Sequence, residues 1–485
     1  ATDRIQVEPR VTLPADWQFA SALKIASRQG NELRFQSVSF TTLVDSPLIA
    51  GRHFKRIDLD PGARVPVFLN VVADRADNLA IDQRQIAQHR ALIQQALALF
   101  GRAPFAHYDF LLSLSDRTGH FGLEHLQSSD DRLMADFFTD SDSYLRLASL
   151  LPHELVHAWN GKYRRPVGLA TPDFATPMQT DLLWVYEGLT EYWAGVLSVR
   201  AGLWSADDYR QALAEVAQQV HYRRGRQWRS LQDTADAAPL QSYVGGWHNW
   251  RRTADYYPEG ELLWLEIDAR IRALSHNRRS LDDFARRFFA PDHTGATLRR
   301  YDFNDVVAAL HAVQPADWAA FLRQRLDYTG NEAPVHGLER SGWQLQYAAA
   351  PTAYSDASSA LMGGAQNLTA SLGLFVSGDG RVLDVIWGGP AFKAGLVPGM
   401  QLVAVNGSDY SASALQDAIR AAHGKAPPLS LLVKYDTLYS RLSIDYHDGL
   451  RYPRLERRRG QPDYLSAILA PRHGAPSTSA KEHTP

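Results

Sequence analysis

The residues His-Glu-Leu-Val-His at positions 153–157 carry groups that could do chemistry. On a helix, positions i and i+4 lie on the same face, so His153 and His157 can direct two imidazoles at one divalent cation. Glu154 would lie beside that cation, where its carboxylate can take a proton from an attacking water molecule. Because the chain has 17 histidines, a chance match has a probability of roughly a few per cent. The motif alone is therefore not proof of a metal site, and a third ligand elsewhere in the chain is the test of it.

A second apolar segment, LLWVYEGLTEYW at residues 182–193, supplies the candidate for that ligand. Zinc in hydrolases is usually held by three protein groups, and the fourth position is left for water. Between His157 and Glu187 lie 29 residues, which is room for a loop and a returning helix. Glu191, one turn later, could accept a hydrogen bond from the far nitrogen of His153 and orient that ring. Carboxylates in so apolar a helix need a partner, which favours a site for one Zn²⁺ over two solvated helix charges.

The helix that carries the motif is expected to begin near residues 150–152. Pro152 is tolerated in a first helical turn, because its missing N–H would have no intrahelical partner there. Ser149 is the candidate N-cap. This start places the two histidines and Glu154 in the early turns of the helix.

The 485 residues are too many for one ordinary core and predict a multidomain chain. Residues 1–75 alternate apolar and polar positions in short runs, which is typical of a β domain. Over residues 76–335 the apolar positions recur at three- and four-residue steps, which indicates a mostly helical domain around the motif. Residues 336–460 are short apolar runs broken by Gly, Pro and Asp-Gly, which indicates a β-rich module. Residues 461–485 are polar and Pro-rich and are expected to form a loose tail.

Composition excludes several classes of function. The chain has no cysteine, so any metal must be held by His, Asp or Glu. Its formal net charge of −2 gives no general attraction to nucleic acid, and the basic run at residues 451–460 lacks a stacking pattern. No run of 18 apolar residues predicts a membrane span. The first residues, ATDRIQ, are typical of a processed mature form, and with the absence of thiols they favour a periplasmic or secreted protein over a cytoplasmic one.

The segments HELVHAWN and LLWVYEGLTEYW together resemble the gluzincin metallopeptidases. The Trp-Asn after the second histidine and the overall layout are similar to the glycyl aminopeptidase family, whose members carry a C-terminal PDZ domain. The resemblance implies a thermolysin-like α+β domain in which His153, His157 and Glu187 bind zinc and Glu154 is the general base. It also implies a preference for N-terminal Gly and then Ala. Family members have more N-terminal β-structure than residues 1–75, so part of that domain would be missing, cleaved or on another chain.

An aminopeptidase must hold the free α-ammonium of its substrate, and a carboxylate beside the metal is the simplest device. The segment HFGLEHLQSS offers Glu124, 29 positions before His153. Gly122, Leu123 and Glu124 are similar in order to the Gly-x-Met-Glu-Asn strand of the aminopeptidase N group. There the glutamate binds the substrate amine, and the backbone beside it pairs with the peptide like an added strand. The resemblance therefore assigns substrate binding to these three residues, although GLEH by itself would be a charge on a strand edge.

The tetrahedral intermediate needs a hydrogen-bond donor for its oxyanion in addition to the metal. The segment TADYYPEGELLWLEID resembles the Tyr-x-Lys-Gly segment of aminopeptidase N relatives. The resemblance points to Tyr257 as the phenol that faces the oxyanion, and the adjacent Tyr256 stays an alternative. Glu259 stands where relatives have Lys, so no charge role is carried over to that position.

The C-terminal runs SLGLFV and GPAFKAGLVPGMQLVAVNG resemble a PDZ domain of the bacterial protease type. The resemblance implies that the N–H groups of Gly373, Leu374 and Phe375 cup a peptide carboxylate, beside a helix at residues 415–420. The C-terminus of an extended peptide could then add as a strand in the groove. A packed module without a bound peptide is the alternative.

These features predict a zinc aminopeptidase that removes small N-terminal residues from peptides with a free N-terminus. A thermolysin-like zinc endopeptidase is one alternative, in which Glu124 would be only structural. A PDZ scaffold protein with an inactive zinc site is another. The intact Glu154 argues against the scaffold, because a metal that only braces a fold has no use for a base.

Overall fold

The structure is a computed structural model that describes residues 2–472 except 63–64, 174, 242–244, 295–296 and 425. Among the described residues, no helix combines the length and the apolar character needed to cross a bilayer. The strands are β1 (Gln6–Val7), β2 (Arg10–Thr12), β3 (Gln18–Ser21), β4 (Ile25–Gln29), β5 (Glu32–Phe35), β6 (Val38–Ser39), β7 (Leu48–Gly51), β8 (His53–Asp58), β9 (Val67–Ala73), β10 (Tyr108–Leu114), β11 (Phe121–Glu124), β12 (Ser128–Leu133), β13 (Arg164–Pro166), β14 (Arg299–Tyr301), β15 (Trp343–Ala348), β16 (Gln366–Leu368), β17 (Leu374–Val376), β18 (Val382–Val385), β19 (Gln401–Val405), β20 (Ser408–Asp409), β21 (Leu429–Tyr435), β22 (Leu438–Ile444) and β23 (Tyr452–Arg457).

The helices are α1 (Phe40–Val44), α2 (Gln83–Phe100), α3 (Ser141–Leu147), α4 (Leu150–His157), α5 (Leu183–Tyr186), α6 (Gly188–Arg200), α7 (Ala206–His221), α8 (Leu231–Asp236), α9 (Ala238–Gln241), α10 (His248–Arg251), α11 (Pro258–Leu274), α12 (Leu281–Phe289), α13 (Phe303–Val313), α14 (Trp318–Leu326), α15 (His336–Arg340), α16 (Ala353–Leu361), α17 (Pro390–Lys393), α18 (Ala412–Ala421) and α19 (Tyr464–Leu469).

The first part of the chain is a β-rich unit of small antiparallel sheets. Strand β1 pairs with β6, β3 pairs with β7, and β5 lies between β2 and β4. Leu13, Leu33 and Phe35 form its core. The prediction that this domain reaches residue 75 is wrong, because β8 and β9 belong to the next sheet. There β9 pairs in parallel with β10, and its residue Val67 is buried against the central core.

The central sheet supports the motif helices. Among the described residues its strand order is β11-β12-β10-β9-β8. Strands β9, β10 and β12 run parallel, while β8 and β11 pair antiparallel at the two edges. Parallel strands are usually covered on both faces, and Leu69, Val71, Phe110 and Leu112 are fully buried. Among the described strands, β11, which carries the GLE segment, is paired with β12 only, and it contacts helix α4.

The motif helix α4 begins at Leu150, as the sequence predicted. The Ser149 side chain does not cap it, which corrects the predicted role of that residue; its carbonyl instead accepts the His153 N–H at 3.0 Å. The backbone φ and ψ of Ser149 are already helical, whereas a residue whose side chain caps a helix usually has an extended backbone.

Helices α6 and α11 cross in close contact behind the motif. A Cβ added to Gly188 would lie 2.7 Å from the Gly260 Cα, and one added to Gly260 would lie 2.8 Å from the Gly188 Cα. The absence of side chains at both positions allows this approach. Next to the crossing, the Trp184 and Trp264 rings stack at 5.6 Å. The two glycines therefore fix how far Glu187, the residue before Gly188, stands from α11.

The C-terminal unit runs from β16 to β22 and has its own hydrophobic core. It contains the sheets β16-β17-β18 and β20-β19-β21-β22 together with α17 and α18. The unit is held against the helical domain by Asn249 of α10. The Asn249 amide donates to the Asp384 carboxylate at 3.0 Å and to the Val385 carbonyl at 2.7 Å.

The structure does not contain the open carboxylate cup predicted at Gly373, Leu374 and Phe375. The Gly373 N–H donates to the Leu368 carbonyl at 3.1 Å. Strand β17 is paired with β16 on one edge and with β18 on the other. The chain's own segment β16 therefore occupies the edge that the predicted peptide strand would have used.

The prediction of a loose tail from residue 461 is also wrong over the described residues. Leu465, Ile468 and Leu469 of α19 are buried in the main core. The Arg200 guanidinium donates to the Ile468 carbonyl at 2.6 and 3.0 Å. The polar composition of the segment concealed three apolar residues at helical spacing. Residues 473–485 lie outside the described residues.

We expect Gly260→Ala to destabilise the fold, because the added methyl group would meet the Gly188 Cα at 2.8 Å. Overpacking of this kind costs about 1–3 kcal/mol, which urea denaturation can measure as a lower free energy of unfolding. The control is Gly119→Ala, where an added Cβ meets no atom within 4 Å and the change should stay within about 0.5 kcal/mol. An unaltered unfolding midpoint for Gly260→Ala would contradict the close crossing.

Candidate metal centre and substrate cleft

Helix α4 and the junction between α5 and α6 bring the three predicted ligands together. The Nε2 atoms of His153 and His157 face each other at 3.0 Å. Glu187 Oε2 lies 3.5 Å from the first nitrogen and 3.4 Å from the second. All three side chains are largely buried. The three donor atoms thus form a small triangle and are close enough together to bind one ion.

This triangle fits a zinc ion. Tetrahedral zinc holds N and O ligands at about 2.0–2.1 Å, which spaces the ligands about 3.3 Å apart. Glu187 Oε2 is buried and has no hydrogen-bond partner among the described residues, although a buried carboxylate oxygen needs one. A second set, Glu124, Glu154 and His157, lies within 4.8 Å, but the closer spacing favours the His153–His157–Glu187 set.

Asn160 orients one ligand and joins the two helical segments. Its carbonyl accepts the His157 Nδ1–H at 2.9 Å, which leaves the Nε2 lone pair free for a cation. Its side-chain amide donates to the Val185 carbonyl at 2.8 Å and to the Tyr186 carbonyl at 3.1 Å. The residue after Tyr186 is Glu187, so Asn160 positions two of the three ligands.

Glu191 lies near His153, as predicted, but not at hydrogen-bond distance. Its Oε1 atom is 3.7 Å from His153 Nδ1, which is the distance of an ion pair. Glu191 also lines the cavity beside His153 and Glu154, and its side chain is more exposed than that of Glu187. The predicted orienting contact is thus electrostatic in this structure.

The buried charges are strongly coupled. Burial opposes a charge on His157, but Glu187, Glu124 and Glu154 outweigh burial and raise its pKa to about 10. Burial alone would raise the pKa of Glu187, and the imidazoles of His157 and His153 instead lower it to about 2. A proton on His157 and a divalent cation compete for the same lone pair, so metal binding at this site must release protons.

Glu154 lies against the edge strand β11. A Cβ added to Gly122 would fall 2.0 Å from Glu154 Oε1, so glycine at this position makes room for the carboxylate. Burial raises the pKa of Glu154 to about 7, and His153 and His157 partly offset the rise. A carboxylate with a pKa near neutrality can both accept and return a proton.

Asp131 is a buried carboxyl group that the sequence analysis did not identify. It lies on β12 opposite Gly122 and is fully buried. Burial, and then the charge of Glu154, raise its pKa well above the usual range. The Ser129 hydroxyl donates to it at 2.7 Å. Burial and the charge of Glu154 thus disfavour ionisation of Asp131, and only the strand pairing of the three-dimensional structure places it near Glu154.

Glu124 lies at the end of β11 close to the metal ligands. The Tyr186 hydroxyl donates a hydrogen bond to Glu124 Oε1. Burial would raise the pKa of Glu124, but His157 and the Tyr186 hydroxyl keep it below its usual value. The carboxylate is thus ionised, which a site for a substrate ammonium requires. Leu123 alternates to the opposite face of the strand and is 47% exposed, so only its backbone can take the predicted substrate role.

Asp45 of the N-terminal unit anchors the end of β11. Its carboxylate accepts the Leu126 N–H at 2.9 Å and lies 3.3 Å from His125 Nδ1. Lys162, five residues beyond the motif, contacts the same carboxylate at 2.5 Å. Burial raises the pKa of Asp45, but His125 and Lys162 together bring it below the usual value. The first two residues after Glu124 are thus tied to another unit, which no local sequence signal indicates.

Tyr257 is the tyrosine that lines the cleft. Its ring lies nearly parallel to the His153 ring, with centroids 6.4 Å apart. It borders a cavity of about 380 Å³ together with Phe121, Gly122 and Glu154. Tyr256 is a core residue with 5% exposure. The geometry supports Tyr257 over Tyr256 for the predicted contact with an oxyanion.

Two segments of the chain match known families. Residues 146–263 match the family described as M61 glycyl aminopeptidase, and residues 2–52 match the Peptidase M61 N-terminal domain. The first segment contains the three candidate ligands, Glu154 and Tyr257, while Glu124 precedes it. A comparison with curated proteins finds no significant match.

Among solved structures, an aminopeptidase N family protein from Idiomarina loihiensis is similar, with a TM-score of 0.74 and 20% identity. The match covers 97% of this chain and 80% of that chain and shows a shared fold. Two structures of a variant M1 zinc metallopeptidase from Deinococcus radiodurans, one bound to a Tyr-Ser-Ala substrate, have TM-scores of 0.41 and 0.39 at 17% identity. They match 67% of this chain and 64% and 65% of their own chains. The chain therefore carries M61 family segments on a multidomain fold, and it is a metallo-aminopeptidase, a hydrolase that acts on peptide bonds.

Proposed function

We propose that this protein is a zinc-dependent aminopeptidase with one Zn²⁺ that removes small N-terminal residues, glycine before alanine, from peptides. The observation that carries the proposal is the triangle of His153, His157 and Glu187 atoms, 3.0–3.5 Å apart. Glu154 and Glu124 adjoin it. The preference for glycine rests on the family description of residues 146–263.

Different side chains of the protein carry out different steps of the hydrolysis. Zinc, held by its three ligands, would supply a Lewis acid that lowers the pKa of water and polarises the scissile carbonyl. Glu154 takes the proton of the attacking water and passes it to the leaving amine, and its pKa of about 7 suits both steps. Burial, followed by Glu187, raises the pKa of Tyr257, so its phenol stays protonated and donates to the oxyanion.

The edge strand β11 sets the direction of the substrate. Glu124 at its end binds the α-ammonium, and the unpaired edge accepts the first peptide units as an added strand. The rest of the peptide then runs antiparallel to β11, past Gly122 and Phe121, into the cavity of about 380 Å³. Because the ammonium site lies next to the metal ligands, only one residue fits between Glu124 and the scissile bond.

Glu154→Gln should lower kcat for release of glycine from a glycyl anilide by about 10²–10⁴-fold, because the general base is lost. Zinc content, measured by mass spectrometry, should equal that of the wild type. Glu332→Gln, at an exposed glutamate, is the control and should retain full activity. Removal of zinc with a chelator should abolish activity and added zinc should restore it; equal rates for Glu154→Gln and wild type would end the proposal.

Glu124→Gln separates the aminopeptidase from the thermolysin-like endopeptidase. Loss of a charged hydrogen bond to the substrate ammonium, worth about 1.5–3 kcal/mol, should lower kcat/KM on free N-termini by roughly ten- to hundredfold. The measurement compares a glycyl peptide with its N-acetylated form, which neither protein should cleave. Internal cleavage of the acetylated peptide, undiminished in Glu124→Gln, would instead support the endopeptidase.

Gly122→Ala should impair the base without touching a metal ligand, since the added Cβ would lie 2.0 Å from Glu154 Oε1. We expect kcat to fall by about 10²-fold or more, approaching Glu154→Gln, with normal zinc content. Leu123→Ala is the matched control, because that side chain is exposed on the other face of β11. Activity of Gly122→Ala within twofold of wild type would show that the contact does not position Glu154.

A further inference from the structure

We propose that the substrate cleft continues into a groove between α7 and the C-terminal unit, and that this groove binds the downstream residues of longer peptide substrates through their backbone. The inference rests on the proposed aminopeptidase function and adds the part of the substrate that the groove holds. The outer groove is defined by Glu215, Gln218, Asn249, Asn367, Phe375 and Asp384.

Three neighbouring cavities, which share lining residues, extend from the metal centre to the outer groove. The cleft cavity of about 380 Å³ is bordered by His153, Glu154 and Arg146. Arg146 also borders a second cavity of about 170 Å³. That cavity shares Gln218 and Asn367, among others, with a third cavity of about 320 Å³ between α7 and the C-terminal unit. Residues of α7 thus line the second and third cavities, and Arg146 lies between the second cavity and the cleft cavity.

The cleft cavity lies on the side of the scissile bond where the downstream residues of the proposed substrate would lie. Glu124 takes the N-terminus at one end of β11, and Phe121 at the other end borders the cleft cavity. A peptide that runs antiparallel to β11 would therefore carry its downstream residues past Phe121 into this cavity, which Arg146 also borders. The Arg146 guanidinium lies 4.2 Å from the Tyr354 ring centroid and 4.0 Å from Glu215 Oε2. These contacts hold the arginine at the junction of the first two cavities.

A buried polar group in the groove lacks a partner. Gln218 is 2% exposed, and its Nε2 atom has no hydrogen-bond partner among the described residues. Asp384 Oδ1 is also buried without a hydrogen-bond partner among the described residues. The other oxygen of this carboxylate, Oδ2, accepts a hydrogen bond from the Asn249 amide at 3.0 Å. Buried donors and acceptors left unpaired are costly, and an extended peptide offers alternating C=O and N–H groups that would pair with them.

The chemistry of the lining favours peptide backbone over a particular side chain. Amide side chains of Gln218, Gln219 and Asn367 lie in this lining and can donate or accept. The acidic Glu215 and Asp384 are accompanied by Arg146 and by basic groups of the same walls, Arg223 and His248. A mixed, amide-rich lining is suited to peptides of varied sequence.

The test is a series of glycyl peptides of three, five and eight residues together with a glycyl anilide. For the wild type, kcat/KM should rise about tenfold from three to eight residues. Asn367→Trp, a bulky substitution at an exposed position of the groove, should remove this rise and leave the anilide rate within twofold. Ser440→Trp, on the exposed strand β22 away from the groove, is the matched control and should behave as wild type.

Binding measurements test the groove without relying on catalytic turnover. The anisotropy of an eight-residue peptide with a C-terminal fluorophore should give a Kd about tenfold weaker for Asn367→Trp and for Gln218→Leu than for wild type. Absence of any hydrolysis by the wild type would end the proposed function and leave this binding test standing. Equal kcat/KM for all lengths, or equal Kd for wild type and both groove variants, would overturn the groove.

Discussion

The two imidazole nitrogens of His153 and His157 face each other at 3.0 Å with a carboxylate oxygen of Glu187 beside them. Such a group is unfavourable in a buried site unless protons or a cation balance its charge. Glu154 and Glu124 add further negative charge next to His157, and the pKa of His157 is accordingly raised to about 10. A divalent cation would balance this negative charge, and the two imidazoles partly offset the rise that burial causes in the pKa of Glu154.

Holding this cluster together requires unusually close packing, and the sequence supplies it with small residues and one amide. Gly122 lets the edge strand approach Glu154, and Gly188 with Gly260 lets α6 and α11 touch. Asn160 links His157 to the segment that ends in Glu187. A base whose pKa depends on burial needs walls that exclude water, and close backbone approaches provide them without side chains that would displace the carboxylate.

The parts of the site that follow helical periodicity could be predicted from the sequence, because i, i+4 spacing fixes a shared face before any tertiary contact forms. The motif helix and the third ligand belong to this group, whereas Glu124 lies on strand β11 and was identified by its resemblance to a strand of the aminopeptidase N group. Asp131 could not be predicted, since its place beside Glu154 depends on the pairing of β11 with β12. The loop at Gly373 was misassigned because its sequence does not reveal that β16 already occupies the neighbouring edge. Similarly, the polar composition of residues 461–485 predicted a loose tail and not the helix α19. The burial of that helix depends on contacts with distant residues such as Arg200.

The N-terminal β-rich unit helps to hold residues of the site in position. Glu124 ends an edge strand, and edge strands are held on one side only, so the chain beyond it needs another anchor. Asp45 provides that anchor through the Leu126 N–H, and its ion pair with Lys162 ties the same point to the segment after α4. The Glu124 carboxylate, which we propose to bind the substrate ammonium, and the chain segment after helix α4 are therefore both held by one residue of a different unit. In the proposed aminopeptidase the distance from Glu124 to the metal would set the cleavage position, so the position of the N-terminal unit would bear directly on removal of a single residue.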